Sequence, residues 1–152
     1  MKLKAVPSTD VSVFEWEQIK QQGLQRILSN SQKAPVIKIQ ITPSRKIKIN
    51  FLDSYVETHP DPLVLDEWTF VNASFFYAGQ ELFDYIEIFS NIIVGTNSLN
   101  FDSDELNFSD LPDAGPSALF RIGGSPSFIG EISNINFYNP GGVIPPRKDN
   151  FS

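Results

Sequence analysis

Apolar side chains occupy every second position on both sides of residues 42–45. These positions are Ile37, Ile39, Ile41, Ile47, Ile49 and Phe51. A period of two places alternate side chains on one face of a β-strand. The alternation therefore predicts an antiparallel hairpin over residues 36–51, with its apolar face in a core and with Lys38, Lys46 and Lys48 on its solvent face.

Runs rich in β-branched and aromatic residues predict further strands along the chain. They lie at residues 11–16, 26–28, 67–77, 82–94, 118–122 and 128–138. The spacing of Trp16 and Ile19 also allows a short helix over residues 15–22, which is kept as an alternative. Turn-forming residues predict a turn at 78–80, a polar loop that includes 59–62 and a long acidic loop over 95–117.

The sequence contains seven or eight such runs and no convincing long helix. Short strands separated by turn signals are typical of all-β domains. We therefore predict an all-β fold, a two-sheet antiparallel β-sandwich of the jelly-roll type. The chain of 152 residues is expected to form a single β-sandwich domain over residues 1–139, followed by a Pro/Gly-rich C-terminal tail or linker over residues 140–152.

Composition excludes several kinds of chemistry. The chain has no Cys and a single His, His59. The absence of thiols excludes a disulfide framework, a thiolate metal site and a Cys nucleophile. A single imidazole excludes any site that needs two, and we expect His59 to be an exposed loop residue.

The net charge of −6 is unevenly distributed along the chain. Residues 1–50 contain nine Lys/Arg and three Asp/Glu, whereas residues 51–152 contain three Lys/Arg and fifteen Asp/Glu. Because the basic residues alternate with apolar ones and do not cluster, they indicate a solvated strand face. We expect no nucleic-acid partner, and we interpret the basic hairpin and the acidic loop as docking surfaces.

Residues 1–20 contain no apolar run of the about 7–15 residues that a secretory signal requires. Later apolar runs are far shorter than the roughly 18 residues of a membrane-spanning helix, so no membrane insertion is expected. Three Asn-x-Ser sequons, at Asn72, Asn107 and Asn150, are glycosylation candidates. A glycan at Asn72 requires that this strand position faces solvent.

Two segments near the C-terminus resemble a known superfamily. They are LFRIGG at residues 119–124 and FIGEISNINFYN at residues 128–139. Together they are similar to the ending of concanavalin A-like lectin/glucanase domains, and DEWTFV at residues 66–71 is similar to a strand of laminin-G-like and pentraxin-like domains. The resemblance covers roughly residues 35–142 and implies a sandwich that is sealed by its last strand. Gly130 is expected where a bulge or a crossing backbone excludes a Cβ.

The superfamily includes glucanases, so the carboxylates deserve a test. Retaining hydrolysis needs two carboxyl groups about 5–5.5 Å apart. Glu81, Asp84 and Glu87 follow one another at intervals of three, which puts the middle one on the opposite strand face from the other two. We therefore predict no enzymatic activity.

Relatives in the superfamily often bind Ca²⁺ through loop oxygens, and Ca²⁺ takes six to eight such ligands. Asp102, Asp104 and Glu105 are therefore candidate metal ligands. The spacing departs from an EF-hand, because Glu105 stands where that motif requires glycine. A solvated acidic loop is the simpler interpretation, and Ca²⁺ is the one cofactor that stays a candidate.

The resemblance and the exclusions together predict a non-catalytic recognition module that binds a carbohydrate or glycoprotein ligand. We expect it to act within a larger surface protein, in the extracellular space or at the cell surface. The candidate ligand-binding residues are Tyr55, Tyr77, Tyr85 and Tyr138. The alternative is a structural module that packs against other protein subunits in a larger assembly, and a polysaccharide-active enzyme is a third, less favoured reading.

Overall fold

The computed structural model describes residues 1–19, 33–51, 55–80, 85–102, 106–107 and 118–136. Within these ranges the chain forms antiparallel β-strands and no helix. The strands are β1 (Lys2–Leu3), β2 (Val11–Ile19), β3 (Lys33–Ile41), β4 (Lys46–Phe51), β5 (Tyr55–Pro62), β6 (Val71–Gln80), β7 (Tyr85–Val94), β8 (Asn97–Asp102), β9 (Leu106–Asn107), β10 (Ala118–Ile122) and β11 (Gly130–Glu131). The prediction of an all-β fold is confirmed.

The first sheet has the strand order β10-β2-β3-β4-β5. Its centre is the predicted hairpin, in which Ile39 pairs with Ile49 and Ile41 pairs with Ile47. The side chains of Ile41, Ile47 and Ile49 are fully buried. The hairpin prediction is therefore confirmed, together with the face that it assigns to the core.

The second sheet has the order β6-β7-β8, and β9 also pairs with β7. The predicted long loop over 95–117 is wrong at residues 97–102, which form β8, and at residues 106–107, which form β9. Leu99 and Phe101 alternate there with polar residues, and a tight turn at Gly95 (φ +65°) reverses the chain directly after β7. Because turn-forming residues are frequent in this segment, the sequence predicted a loop where a short strand with many polar residues forms.

The polar loop predicted at residues 59–62 is also wrong, because these residues belong to β5. This strand is an edge of the first sheet, and Pro60 and Pro62 are exposed on it while His59 is buried. An edge strand tolerates proline where its N–H would face solvent. His59 is therefore an interior residue, contrary to the expectation of an exposed one.

The two larger sheets share one hydrophobic core, which gives the domain a β-sandwich-like architecture. Ile47 and Ile49 of β4 lie in the same buried cluster as Ile92 and Val94 of β7. Burial of each such side chain stabilises the fold by about 1.5–3 kcal/mol before the loss of conformational entropy is counted. Leu3 of β1 joins this cluster from a small end sheet of β1 and β11.

Gly130 behaves as predicted. A Cβ on Gly130 would collide with the backbone carbonyl of Lys2 on β1, so only glycine permits this approach of β11. The last predicted strand is shorter than expected, because regular pairing ends at Glu131 and Asn134 takes a positive φ of 56°.

Two smaller predictions are wrong, and two others fall on residues that the structure does not describe. The helix alternative is wrong over residues 15–19, which continue β2. The predicted turn at 78–80 is wrong, because Gly79 pairs with Ile86 inside the β6–β7 ladder. The strand predicted at 26–28 and the tail at 140–152 lie outside the described residues.

Candidate functional site

A line of four alternate residues follows the outer side of β6 and the segment before it: Trp68, Phe70, Asn72 and Ser74. Val71 and Ala73, which alternate with them, and Phe75, which follows Ser74, pack against the core. Trp68 is 53% exposed and Phe70 is 62% exposed. Side chains of such size are normally buried, so two of them in line form an unusual surface.

The N-terminal strand fixes Trp68 in place. The amino group of Met1 donates to the Thr69 carbonyl at 2.8 Å, and the Thr69 N–H donates to the Met1 carbonyl at 2.8 Å. Lys2 lies directly opposite Trp68, and its Nζ is 5.2 Å from the ring centroid. The indole therefore has a defined orientation, with a cation at one side of its ring.

An amide cluster continues this surface across β7 and β8. Asn91 lies between Ser74 and Asn100 in the strand register. Its Nδ2 donates to Ser98 Oγ at 2.8 Å, to Asn100 Oδ1 at 2.9 Å and to the Leu99 carbonyl at 3.3 Å. The contacts hold these side chains in one arrangement on the outside of the sheet.

We call the four aligned residues and the amide cluster the open face, because much of its hydrogen-bonding capacity is unused. Among the described residues, the side chains of Asn72 and Ser74 make no hydrogen bond, and Asn91 Oδ1 accepts none. An amide offers both donors and an acceptor, and a hydroxyl offers one donor and two lone pairs. The open face therefore presents polar groups of both kinds beside two exposed aromatic rings.

The outer side of the first sheet has a different character, and we call it the covered face. Ser12 Oγ donates to Glu15 Oε2 at 2.7 Å, and Arg121 Nη1 lies 3.5 Å from Glu15 Oε1. The loop after β10 lies against this pair, because a Cβ on Gly124 would approach Glu15 Oε2 to 2.5 Å. Ser12 and Glu15 are consequently buried, at 1% and 6% exposure.

Polar contacts also join β5 to the second sheet inside the sandwich. The Asp61 N–H donates to His59 Nδ1 at 3.1 Å, so Nε2 carries the imidazole proton and donates to the Asn97 carbonyl at 3.0 Å. Asn97 Nδ2 in turn donates to Asp61 Oδ2 at 2.9 Å. His59 is buried because both of its ring nitrogens have partners there.

Of the four tyrosines predicted to bind ligand, Tyr55 is the one whose side chain the structure describes. It is 5% exposed, and its hydroxyl lies 2.9 Å from Ser90 Oγ. Burial raises the pKa of the Tyr55 phenol. The ring lies between the sheets and has no surface face for a ligand. Tyr77 and Tyr85 lie on β6 and β7 with side chains outside the described set, and Tyr138 lies outside it entirely.

The predicted metal ligands are only partly described. Asp102 is exposed at the end of β8, whereas Asp104 and Glu105 lie outside the described residues. In the part that the structure describes, no three His, Cys, Asp or Glu residues are grouped as metal ligands would be. The same part contains no helix of the length and apolar character that a bilayer span requires.

The sequons have separate locations. Asn72 lies on the outer side of β6, which meets the condition that a glycan there needs a solvent face. Asn107 lies on β9 with its side chain outside the described set, and Asn150 lies beyond the described residues.

Comparison of the chain with protein-family models, with curated proteins and with solved structures finds no match. Trp68, Phe70 and Asn91 are not among the residues predicted to bind ligand, although the sequence contains a signal for this face. Asn72 and Ser74 are the polar members of their alternation, and polar residues on a half-buried strand face solvent. The same parity then exposes Phe70 and Trp68.

Proposed function

We propose that the protein is a non-catalytic recognition module that binds carbohydrate, free or on a glycoprotein, through the open face. The observation that carries the proposal is the alignment of exposed Trp68 and Phe70 with the amide cluster around Asn91. A sugar ring has an apolar C–H face and a rim of hydroxyl groups. Aromatic rings match the first, and amide donors and acceptors match the second.

The arrangement of the cluster supports affinity as well as chemistry. Asn91 is held by three hydrogen bonds, and Trp68 is held beside Lys2. Side chains that are already ordered lose little conformational entropy when a ligand binds. Asn91 and Trp68 of the open face therefore meet a ligand at a low cost in conformational entropy.

The finer fold and the setting belong to the same proposal. The proposal includes a jelly-roll connectivity of the concanavalin A-like, laminin-G-like type, which the sandwich-like core supports. A module of this kind acts at the cell surface or in the extracellular space, within a larger protein. Asp102, with Asp104 and Glu105, supplies the oxygen ligands if Ca²⁺ takes part.

The test is a glycan array followed by titration of the best ligand, in the presence of Ca²⁺ and after its chelation. We expect Trp68→Ala, Phe70→Ala and Asn91→Ala each to weaken binding about tenfold, the equivalent of about 1.4 kcal/mol. Val56→Ala is the matched control, because Val56 is 44% exposed on β5 of the other sheet. An array without any bound glycan in either condition, or an equal loss in the control, contradicts the proposal.

A structural role in a larger assembly is the second candidate, and the exposed apolar side chains favour it. Trp68 lies opposite Lys2 of β1, while Ile129 beside β11 is 65% exposed, and protein interfaces are enriched in such residues. Native mass spectrometry of the source assembly separates the two roles. A partner-free monomer contradicts the structural role. Turnover of a polysaccharide that is lost in Asp84→Asn or Glu87→Gln would instead support the third hypothesis, a polysaccharide-active enzyme.

A further inference from the structure

We propose that Asn72 is an N-glycosylation site whose first sugar packs on Phe70, so that the attached glycan covers part of the open face. The site and the packing are independent of the proposed function. The expected hindrance of ligand binding by the glycan rests on the proposed function.

The geometry of the sequon suits modification. Asn72 lies on β6, which in the described part of the second sheet has a neighbour on one side only, β7. Its side chain is half-buried on the outer face and forms no hydrogen bond among the described residues. Ser74, the hydroxyl residue of the sequon, is exposed on the same face. Attachment at Asn72 therefore breaks no side-chain hydrogen bond within the part of the chain that the structure describes.

Phe70 provides the second part of the argument. Phe70 immediately precedes β6, and its carbonyl accepts a hydrogen bond from the Gly95 N–H at 2.8 Å, which continues the pairing of β6 with β7. Residues two apart in such an extended segment point to the same side, about 6.6 Å apart along it. Phe70 is 62% exposed, and its ring lies within reach of the first sugar on Asn72. Packing of a sugar C–H face on this ring removes apolar surface from water, which stabilises the folded chain.

The other two sequons lack this feature. The residue two positions before Asn107 is Glu105, and the one two positions before Asn150 is Lys148. A charged side chain at that position offers no ring to a sugar. The inference therefore applies to Asn72 and predicts a difference between the three sites.

The modification is a transfer from an oligosaccharide carried on a polyprenyl diphosphate. A bond forms between Asn72 Nδ2 and C1 of the first sugar, while the bond between C1 and the diphosphate breaks. Polyprenyl diphosphate and one amide proton are released. The bound glycan then occupies Phe70 and hinders an external ligand, so that the unmodified chain is the stronger binder.

The experiment compares the full chain secreted from a eukaryotic host through an added export signal with the same chain made in a bacterial cytoplasm. Intact mass and peptide mapping are expected to find a glycan on Asn72 that is lost in Ser74→Ala and in Asn72→Gln. An unmodified Asn72 in the secreted chain overturns the proposal.

Packing on Phe70 is tested by trimming the glycan to its first sugar. We expect the trimmed chain to melt about 2–4 °C above the unglycosylated chain, as one buried aromatic contact implies for a domain of this size. The gain should vanish in Phe70→Ala and persist in the matched control Trp68→Ala. An equal gain in Phe70→Ala overturns the packing.

Ligand binding separates the two proposals. If both are correct, the untrimmed glycan weakens binding of the array ligand about tenfold relative to the bacterial protein. Equal affinity of the two forms overturns the covering of the open face. If the bacterial protein binds no glycan, the proposed function fails, whereas occupancy of Asn72 and the melting data still decide the modification.

Discussion

The outer faces of the two larger sheets both carry polar side chains, but they differ in what those side chains contact. On the covered face, Glu15 is 6% exposed and is bound by Ser12 and Arg121 of the same chain. On the open face, Asn72 and Ser74 make no side-chain hydrogen bond among the described residues, and Phe70 is 62% exposed. The polar groups of the covered face have partners in the same chain, whereas the open face retains unused hydrogen-bonding groups.

The difference teaches which polar residues point to function. A buried carboxylate with two partners resembles a reactive group, yet the contacts with those partners are sufficient to explain why it is buried. Exposed amides beside exposed rings look less like a reactive site, although these amides are the groups that retain unused hydrogen-bonding donors and acceptors. Changes on the covered face should therefore reduce stability without affecting binding, and changes on the open face should reduce binding with a smaller loss of stability.

The largest effect on stability is expected from Glu15→Ala. The substitution removes a charge-assisted hydrogen bond and leaves the buried Ser12 hydroxyl without its acceptor, which costs about 2–3 kcal/mol of unfolding free energy. Urea denaturation measures the loss, and binding of the array ligand should not change.

Glu131→Ala is the matched control for that prediction. Its carboxylate is 49% exposed and lies 3.7 Å from Lys2 Nζ and 3.4 Å from Lys4 Nζ. Exposed ion pairs contribute about 0–1 kcal/mol. If Glu15→Ala and Glu131→Ala lose the same free energy of unfolding, then burial by the loop at Gly124 adds nothing to the contribution of Glu15. The description of the covered face is then wrong.

The opposite outcome is expected for Trp68→Ala. The substitution removes an exposed ring and its contact with Lys2, which costs stability by about 0.5–1 kcal/mol. Binding should fall about tenfold. If Trp68→Ala loses more stability than Glu15→Ala and keeps its affinity, Trp68 is a structural residue, and the assignment of the open face as a binding surface is wrong.

The sequence predicted those parts of the fold in which local pattern and burial agree. Ile47 and Ile49 alternate with Lys46 and Lys48, so the pattern alone assigned one face of β4 to the core. The collision that keeps Gly130 free of a Cβ was also expected, because a glycine inside a strand pattern signals close backbone approach.

The remaining errors come from interactions between distant parts of the chain. His59 stands among prolines in the sequence, and its burial depends on Asn97 of the other sheet. Glu15 is covered by a loop more than 100 residues later. The amide cluster requires β8, whose pattern is weak because Leu99 and Phe101 are its two apolar residues among six. Such pairings cannot be obtained from local periodicity.

A smaller effect is expected from the ion pair at the edge of the covered face. Lys48 Nζ lies 2.6 Å from Asp10 Oδ2, with side-chain exposures of 22% and 34%. A double-mutant cycle of Lys48→Met and Asp10→Asn should give a coupling of about 0.5–1 kcal/mol. The coupling should shrink at high ionic strength. A coupling energy of zero at low salt would mean that Lys48 and Asp10 do not interact, so that this edge of the covered face would lack the internal contacts that define it.

The smallest effect concerns Glu57, which faces the second sheet from β5, opposite Ile49. Burial raises the pKa of Glu57 above its ordinary value of 4.5, so the folded protein binds this proton more tightly than the unfolded chain. Its contribution is fully present below that value and is lost as the pH rises through the raised pKa. Tyr55, whose pKa burial raises from 10.0, does not titrate in this window.

Glu57→Gln should therefore flatten the decline of unfolding free energy with rising pH in that window, while Val56→Ala, which removes no titratable group from the same strand, should leave the decline unchanged. Urea denaturation of both variants and of the unaltered chain across the window measures the difference. Because Glu57 lies between the sheets, its titration should alter the stability of covered-face and open-face variants equally. A pH dependence of the Glu15→Ala loss that disappears in Glu57→Gln would show that the covered face and the interior are coupled, and the two faces would then no longer be independent.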